Sequence, residues 1–178
     1  MRCIAIKEFL FWKKKQLSKG GDQQSFTFLL DCIGGISTSD LNSLTINPEG
    51  KLYLKKNLDY LESIWDNYLL YSTPIQYLCG VTFWRDLKLR VTDKVLIPRP
   101  ETELVIDIVH KIFGNKSQKL FFVELGTGSG AISIALALKF PMWEGIATDI
   151  DQDVLEVAKE NYISSSEKSN LKIGRAHV

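Results

Sequence analysis

The stretch LFFVELGTGSGAISIALALKF, residues 120–140, joins an apolar run, a glycine-rich turn and a second apolar run. Its first part, LFFVEL, is apolar at odd and even positions alike, which is typical of a parallel strand that is buried on both faces. Three glycines follow within five residues, and the second apolar run has the composition of a helix that ends before Pro141. We therefore predict a central parallel strand, a tight turn and a helix.

The segments on either side continue this alternation of strands and helices. After the helix, GIATD (145–149) indicates a second strand, DVLEVAKENY (153–162) a second helix and NLKI (170–173) the start of a third strand. Before the first strand, a helix is predicted between Pro100 and Gly114, with one apolar face formed by Val105, Ile108, Val109 and Ile112. This order predicts an α/β fold, the first half of a Rossmann-like, doubly wound sheet.

The rest of the chain divides into a helical region and a hairpin. Residues 1–72 are predicted to form a small helical bundle with a thin core, since apolar residues recur at helical spacing at Leu58, Leu61, Trp65 and Tyr68. Residues 73–98 are predicted to form a linking β-hairpin, because apolar and polar residues alternate through LKLRVT (87–92). Residues 99–178 then form the partial α/β domain.

Composition argues against several classes of function. The net charge of the 178 residues is +1, so we expect no direct binding of nucleic acid. No apolar run approaches the roughly 20 residues that span a bilayer, so we expect no membrane partner. The three cysteines are scattered and lack close histidine or cysteine neighbours, so we expect no bound metal.

The basic start of the chain has two interpretations. Lys13–Lys15 follow the apolar residues Phe9, Leu10 and Trp12, which favours the exposed face of a helix. A basic segment that is poor in acids is also typical of an organelle-targeting peptide. The compartment therefore stays open: a mitochondrion or plastid if the chain is eukaryotic, and the cytoplasm if it is bacterial.

The glycine-rich turn predicts a nucleotide-like ligand, because glycines let the backbone turn tightly and approach a ligand closely. Asp149 ends the next strand, where a carboxylate can accept hydrogen bonds from ribose hydroxyls. Gly126, Gly128 and Ala131 match the dinucleotide pattern, so NAD or FAD stays open. Glu124 favours S-adenosylmethionine, since a carboxylate two residues before the glycines can hold that cofactor's ammonium group.

Three sequence motifs, which follow one another along the chain, distinguish between these cofactors. PIQYLCG (74–80), LIPRPETE (96–103) and ELGTGSGAISIALA (124–137) together resemble the HemK/PrmC family, the S-adenosylmethionine-dependent methyltransferases of release-factor glutamine. The resemblance covers nearly the whole chain. It implies that the cofactor's methionine end is lined by Gly126, Thr127, Gly128, Ser129 and Gly130.

The resemblance also implies roles for the acidic and proline-rich segments. Glu124 would lie near the cofactor's amino group and Asp149 would bind its ribose. Arg99, Glu101 and Glu103 would pack beside the pocket that accepts glutamine. An alternative interpretation of this last segment is structural, with both glutamates at a helix start and Arg99 as their partner.

The implied reaction is methylation of the side-chain amide of glutamine in the Gly-Gly-Gln loop of peptide chain release factors, with the helical region docking that partner to a monomeric enzyme. The family's Asn-Pro-Pro-Tyr motif, which orients the amide, does not occur in this sequence, so we assign no catalytic residue. We expect a truncated form, in which LFFVEL becomes an exposed edge strand.

Three alternatives stay open. The chain could be a non-catalytic fragment that retains contacts with the release factor or the cofactor. It could belong to the N6-adenine-type nucleic-acid methyltransferases, which share the glycine loop, or to the NAD-linked dehydrogenases.

Overall fold

A computed structural model describes residues 2–44, 48–114, 119–165 and 170–175. The chain divides into two compact units, Met1–Cys79 and Gly80–Val178. None of the described helices is both long enough and apolar enough to cross a membrane.

The first unit combines helices with a short two-stranded ribbon. In chain order the elements are β1 (Arg2–Ala5), α1 (Ile6–Ser18), α2 (Gln23–Leu29), a π-helical turn (Leu30–Gly34), α3 (Thr38–Ser43), β2 (Lys51–Leu54), α4 (Leu58–Tyr71) and α5 (Ile75–Cys79). The strands β1 and β2 pair antiparallel, a feature that the expected all-helical bundle lacks. Sequence periodicity missed this pairing because each strand has only four residues and its partner lies almost fifty residues away.

Aromatic packing gives the first unit a fuller core than the sequence predicted. Phe26 lies at the centre, with its ring centroid 5.7 Å from that of Trp12 and 4.8 Å from that of Trp65. Trp65 in turn stacks on Tyr68 at 4.8 Å. Phe26 and Trp65 are fully buried. The thin core expected for residues 1–72 is therefore wrong, since large rings from three helices meet in one cluster.

The second unit begins with a hairpin and continues as an α/β layer. Its elements are β3 (Val81–Trp84), β4 (Leu87–Arg90), a 3₁₀ turn (Pro100–Thr102), α6 (Glu103–Phe113), β5 (Phe121–Leu125), α7 (Ala131–Lys139), β6 (Glu144–Asp149), α8 (Gln152–Ser164) and β7 (Asn170–Arg175). The last three strands form a parallel sheet in the order β5-β6-β7. This is the predicted strand–helix alternation of half a Rossmann-like sheet.

The hairpin packs into the core of the second unit. Its alternate side chains Trp84, Leu87 and Leu89 are buried together with Ile106 of α6 and Ile134 of α7. For this reason the break between the two units falls after Cys79, whereas the sequence placed it at residue 72 and treated residues 73–98 as a separate linker.

Strand β5 is the edge of the sheet in the described residues, because it pairs only with β6. Phe122 faces the helices, while Phe121, Val123 and Leu125 are 60%, 52% and 78% exposed on the other face. The prediction of an exposed edge without a further strand is thus confirmed, and the prediction of a central position is wrong for this chain.

Helix α6 shows a similar departure from expectation. Ile106 is its buried residue, whereas Val105, Ile108 and Ile112 of the predicted apolar face are largely exposed. The described part of the second unit therefore leaves apolar surface uncovered on one face of β5 and on α6.

We predict that this chain, with the β5 edge unpaired, self-associates at high concentration and that Val123→Lys on β5 reduces this self-association. A lysine on an edge strand opposes pairing with the edge of another molecule, and Val123 is half exposed, so stability should change by no more than about 0.5 kcal/mol. Light scattering and thermal unfolding measure the two effects. Leu70→Lys, at an exposed leucine of α4, is the matched control and should leave self-association unchanged. An equal reduction by both variants would contradict an edge-specific effect.

Candidate functional site

The turn after β5 is held by hydrogen bonds to the end of β6. The backbone N–H groups of Gly126 and Thr127 both donate to the carbonyl oxygen of Thr148, each at 2.9 Å. Gly130 donates to the carbonyl of Thr127, also at 2.9 Å, and begins helix α7. The turn therefore has one fixed path from the sheet into the helix.

The glycines of this turn serve two different purposes. All three have positive φ, but a Cβ added at Gly126 or Gly128 would meet no atom within 4 Å. A Cβ at Gly130 would come within 3.0 Å of Ile134 and 3.4 Å of Ala158. Gly130 thus permits close packing of α7 against α8, whereas the first two glycines leave open space in which a ligand can approach the backbone.

Several donors of this turn remain available. Among the residues that the structure describes, the backbone N–H groups of Ser129, Ala131 and Ile132 have no acceptor. Two of them belong to the first turn of α7, where helix geometry provides no partner and the helix dipole favours a negative group. The arrangement is suited to binding an anionic group of a ligand.

Asp149, which the sequence predicts to bind ribose, lies beside the turn. Its Oδ2 accepts a hydrogen bond from the N–H of Gly128 at 3.1 Å. Its Oδ1 accepts from the N–H groups of Ile150 and Asp151 at 2.8 and 3.3 Å. A carboxylate has about four lone-pair positions, so roughly one is left for a ligand hydroxyl.

Glu124 lies beneath the turn and is bonded to it. Its Oε2 accepts hydrogen bonds from the hydroxyl of Thr127 at 2.8 Å, from the N–H of Ser133 at 3.1 Å and from the hydroxyl of Ser133. Burial raises the pKa of Glu124 from 4.5 to about 7, against the opposing effect of these hydrogen bonds. Ser133 was not among the predicted site residues, although a serine in the first turn of a helix is a recognisable partner for a nearby carboxylate.

The proline-rich segment is anchored to the hairpin. The indole N–H of Trp84 donates to the carbonyl of Arg99 at 2.9 Å. The backbone N–H of Arg85 donates to the carboxylate of Glu103 at 3.2 Å, and its guanidinium donates to the carbonyl of Glu103 at 3.0 Å and to Asp107 at 2.9 Å. Glu103 therefore has Arg85 as its structural partner, and not Arg99 as the sequence suggested.

A cleft of about 160 Å³ separates the proline-rich segment from the glycine turn. One wall consists of Leu96, Pro98, Arg99 and Thr102, and the other of Glu124, Gly126, Thr127, Gly128, Ser129, Ala131 and Ile132. The structure thus brings Arg99 and Glu124 to the predicted turn, whereas Glu101 and Glu103 do not line the cleft. Small-molecule sites usually enclose about 300–1,000 Å³, so this cleft holds only part of a nucleoside-sized ligand.

Within the described ranges, no three histidine, cysteine, aspartate or glutamate side chains form a group that could hold an ion.

Comparison with solved structures gives only weak likenesses. The N-terminal domain of human METTL16 has a TM-score of 0.47 and 18% identity, covering 85% of this chain and 54% of that chain. A SAM-dependent methyltransferase from Agrobacterium tumefaciens has a TM-score of 0.44 and 17% identity, covering 52% of this chain and 30% of that chain. Likenesses at this level do not assign a function. No protein-family model matches the chain.

Curated sequences give a much stronger similarity. A protein of Prochlorococcus marinus named release factor glutamine methyltransferase is 39% identical over 173 residues, which is 97% of this chain and 59% of that protein. Proteins of the same name from Synechocystis and Streptococcus pneumoniae are 40% and 30% identical, covering 69% and 93% of this chain. The chain spans about half the length of these relatives, between 44% and 59%. Since the similarity extends along nearly the whole chain, the chain belongs to the family of the release factor glutamine methyltransferases, as its three motifs indicated.

Proposed function

We propose that this chain is the cofactor-binding part of a methyltransferase that uses S-adenosylmethionine and methylates the side-chain amide of glutamine in the Gly-Gly-Gln loop of a peptide chain release factor. The observation that carries the proposal is the contact between the Gly128 N–H and the Asp149 carboxylate. It joins the glycine turn and the acid at the carboxyl ends of two neighbouring parallel strands, the edge at which open α/β sheets bind their ligands.

The chemistry of the turn suits S-adenosylmethionine. The unpartnered N–H groups of Ser129, Ala131 and Ile132 can bind the carboxylate at the cofactor's methionine end. The open space at Gly126 and Gly128 admits the ligand close to the backbone. Asp149 keeps an acceptor position for a ribose hydroxyl. When bound, the cofactor would supply an electrophilic methyl group.

Glu124 has a different role in this proposal from the one the motifs implied. Its Oε2 is occupied by Thr127 and Ser133, so the carboxyl group holds the turn against the start of α7. Glu124 also lines the cleft, and a neutral carboxyl and a carboxylate would affect the cofactor's ammonium group differently. Glu124 is thus a positioning residue first and an electrostatic neighbour of the cofactor second.

The site must also orient the glutamine amide that accepts the methyl group. An amide nitrogen is a weak nucleophile because its lone pair is delocalised into the carbonyl, so alignment with the methyl group is essential. Leu96, Pro98 and Thr102 form the wall opposite the glycine turn and can exclude water from the reacting groups. No residue of this chain is assigned to accept hydrogen bonds from the amide, since the sequence has no Asn-Pro-Pro-Tyr motif.

A non-catalytic binding module is the second candidate function. The cleft is smaller than a complete nucleoside site, and the acceptor motif does not occur. In this case the chain would retain contacts with the cofactor or with the release factor, the latter through the helical first unit, without transferring a methyl group.

Asp149→Ala should weaken binding of S-adenosylhomocysteine by about tenfold or more, because a hydrogen bond to a charged group contributes roughly 1.5–3 kcal/mol. Isothermal titration calorimetry of the 178-residue chain measures the affinity. Glu156→Ala, at an exposed carboxylate of α8, is the matched control and should bind normally. Unchanged affinity in Asp149→Ala would contradict the assignment, and binding of NAD without binding of S-adenosylhomocysteine would favour a dinucleotide site.

Glu124→Gln should stabilise the chain increasingly as the pH rises. Because the folded pKa of Glu124 is about 7 and the unfolded value is 4.5, the folded state binds more protons between these values, and wild-type stability falls as pH rises through this window. The neutral glutamine avoids this loss. The variant's advantage should grow by about 2 kcal/mol between about pH 5 and pH 8.

Chemical denaturation at both pH values measures this difference. Glu144→Gln, at an exposed carboxylate on β6, is the control and should keep the wild-type pH dependence. Identical pH dependence in Glu124→Gln and wild type would show that Glu124 is not buried as described.

Methyl transfer tests the proposed reaction. We expect the full-length Prochlorococcus relative, given labelled S-adenosylmethionine and a release factor, to label the glutamine of Gly-Gly-Gln. A release factor with that glutamine changed to alanine should stay unlabelled. The 178-residue chain should bind the cofactor but transfer at least about a hundredfold more slowly, since loss of acceptor orientation alone costs this much. Labelling of adenine in nucleic acid would contradict the proposed substrate.

A further inference from the structure

Asn161 of α8 is a buried polar residue that the proposed site does not use. Only 2% of its surface is exposed. Its Oδ1 accepts a hydrogen bond from the backbone N–H of Arg90 at 2.6 Å. Its Nδ2 donates to the carbonyl of Arg90 at 3.0 Å and to the carbonyl of Ser129 at 2.9 Å. One side chain thus connects the end of the hairpin with the glycine turn.

On the hairpin side, the side-chain amide of Asn161 forms two hydrogen bonds with the backbone of Arg90, as a neighbouring strand would. Arg90 is the last residue of β4 and is paired with Val81 of β3. Both of its backbone polar groups bond to Asn161. The chain continues from Arg90 to Leu96, Pro98 and Arg99, the first residues of the proline-rich wall of the cleft.

On the turn side, Asn161 fixes the orientation of one peptide group. The carbonyl of Ser129 and the N–H of Gly130 belong to the same planar peptide. The carbonyl accepts from Asn161, and the N–H donates to the carbonyl of Thr127. With both ends of this peptide bonded, Gly130 keeps its φ of 83° and α7 begins at a defined position. Ser129 itself lines the cleft.

We propose that Asn161 is a positioning residue for the cofactor turn and that it sets the separation of the two walls of the cleft. Asn161 hydrogen-bonds Ser129, which lies in the glycine-turn wall, and Arg90, which precedes the first residue of the proline-rich wall, Leu96, along the chain. Both contacts are buried, so loss of either leaves polar backbone groups without a partner. The cleft is therefore held open to a fixed width by a residue that does not line it.

An ion pair close to Asn161 offers a competing connection. The guanidinium of Arg90 lies 2.6 Å from the carboxylate of Glu160, but these side chains are 50% and 54% exposed. Exposed ion pairs contribute little because water screens them. The ion pair also does not reach the glycine turn, so Glu160 provides a matched control on the same helix.

Amide hydrogen exchange followed by mass spectrometry tests the proposal on the 178-residue chain without any cofactor. Asn161→Asp keeps an oxygen acceptor for the Arg90 N–H, but a carboxylate loses the donor to the carbonyls of both Arg90 and Ser129. We expect exchange in the turn, residues 126–134, to accelerate about fivefold or more, as loss of the buried hydrogen bond to Ser129 implies, while the Arg90 amide stays protected. Asn161→Ala should accelerate both segments, and Glu160→Gln should accelerate neither.

Three results would overturn the proposal. The first is unchanged exchange of the turn in Asn161→Asp. The second is equal acceleration throughout the second unit in both variants, which would indicate general destabilisation. The third is a loss of part of the chain's helical circular dichroism signal in both variants, which would make Asn161 necessary for the fold itself.

A second test of Asn161 measures affinity for S-adenosylhomocysteine. This test rests on the proposed function. Asn161→Asp should bind it about fivefold more weakly than wild type, and Glu160→Gln should bind it normally. Failure of the wild-type chain to bind would count against the proposed cofactor, whereas the exchange result would still decide the role of Asn161.

Discussion

The carbonyl oxygen of Thr148 accepts two backbone hydrogen bonds from the turn after β5, and the geometry of the site depends on this contact. It holds the start of the turn against the end of β6, so that Gly128 comes within hydrogen-bonding distance of Asp149. Parallel pairing of β5 with β6 brings their carboxyl ends to the same edge, and the double hydrogen bond then fixes the turn there. The ligand-binding edge of the sheet is thus a property of backbone geometry before any side chain contributes.

Buried polar groups then maintain the shape of the turn. Glu124 lies below it and Asn161 behind it, and each bonds both to the turn and to a neighbouring element. The free-energy cost of burial differs between these two side chains. A neutral amide with hydrogen-bond partners is buried at little cost, whereas burial destabilises a charged carboxylate and therefore raises its pKa. The site consequently combines a pH-independent contact with a contact whose charge changes near neutral pH.

Much of the second unit could be predicted from its sequence. The glycine spacing, the apolar strand and the acid at the end of the next strand were sufficient to place Gly128 and Asp149 together, because these features are local and parallel strands align their ends. The apolar pattern of β5 did not reveal that this strand lies at the edge of the sheet, since the same pattern is typical of a central strand. Whether a strand is central depends on which other strands pair with it. Nor could the apolar pattern show that Val105 and Ile108 of α6 are exposed.

The sequence by itself determined the order of strands and helices, the position of the glycine turn between β5 and α7 and the family to which the chain is related, because each follows from residues close together in the chain. Only the tertiary structure decided which polar side chains hold the turn. Ser133 and Asn161 lie nine and seventy-one residues from the groups they bond, Glu124 and Arg90. Such contacts have no sequence periodicity, and they form only when hydrophobic packing has brought the helices against the sheet and the hairpin.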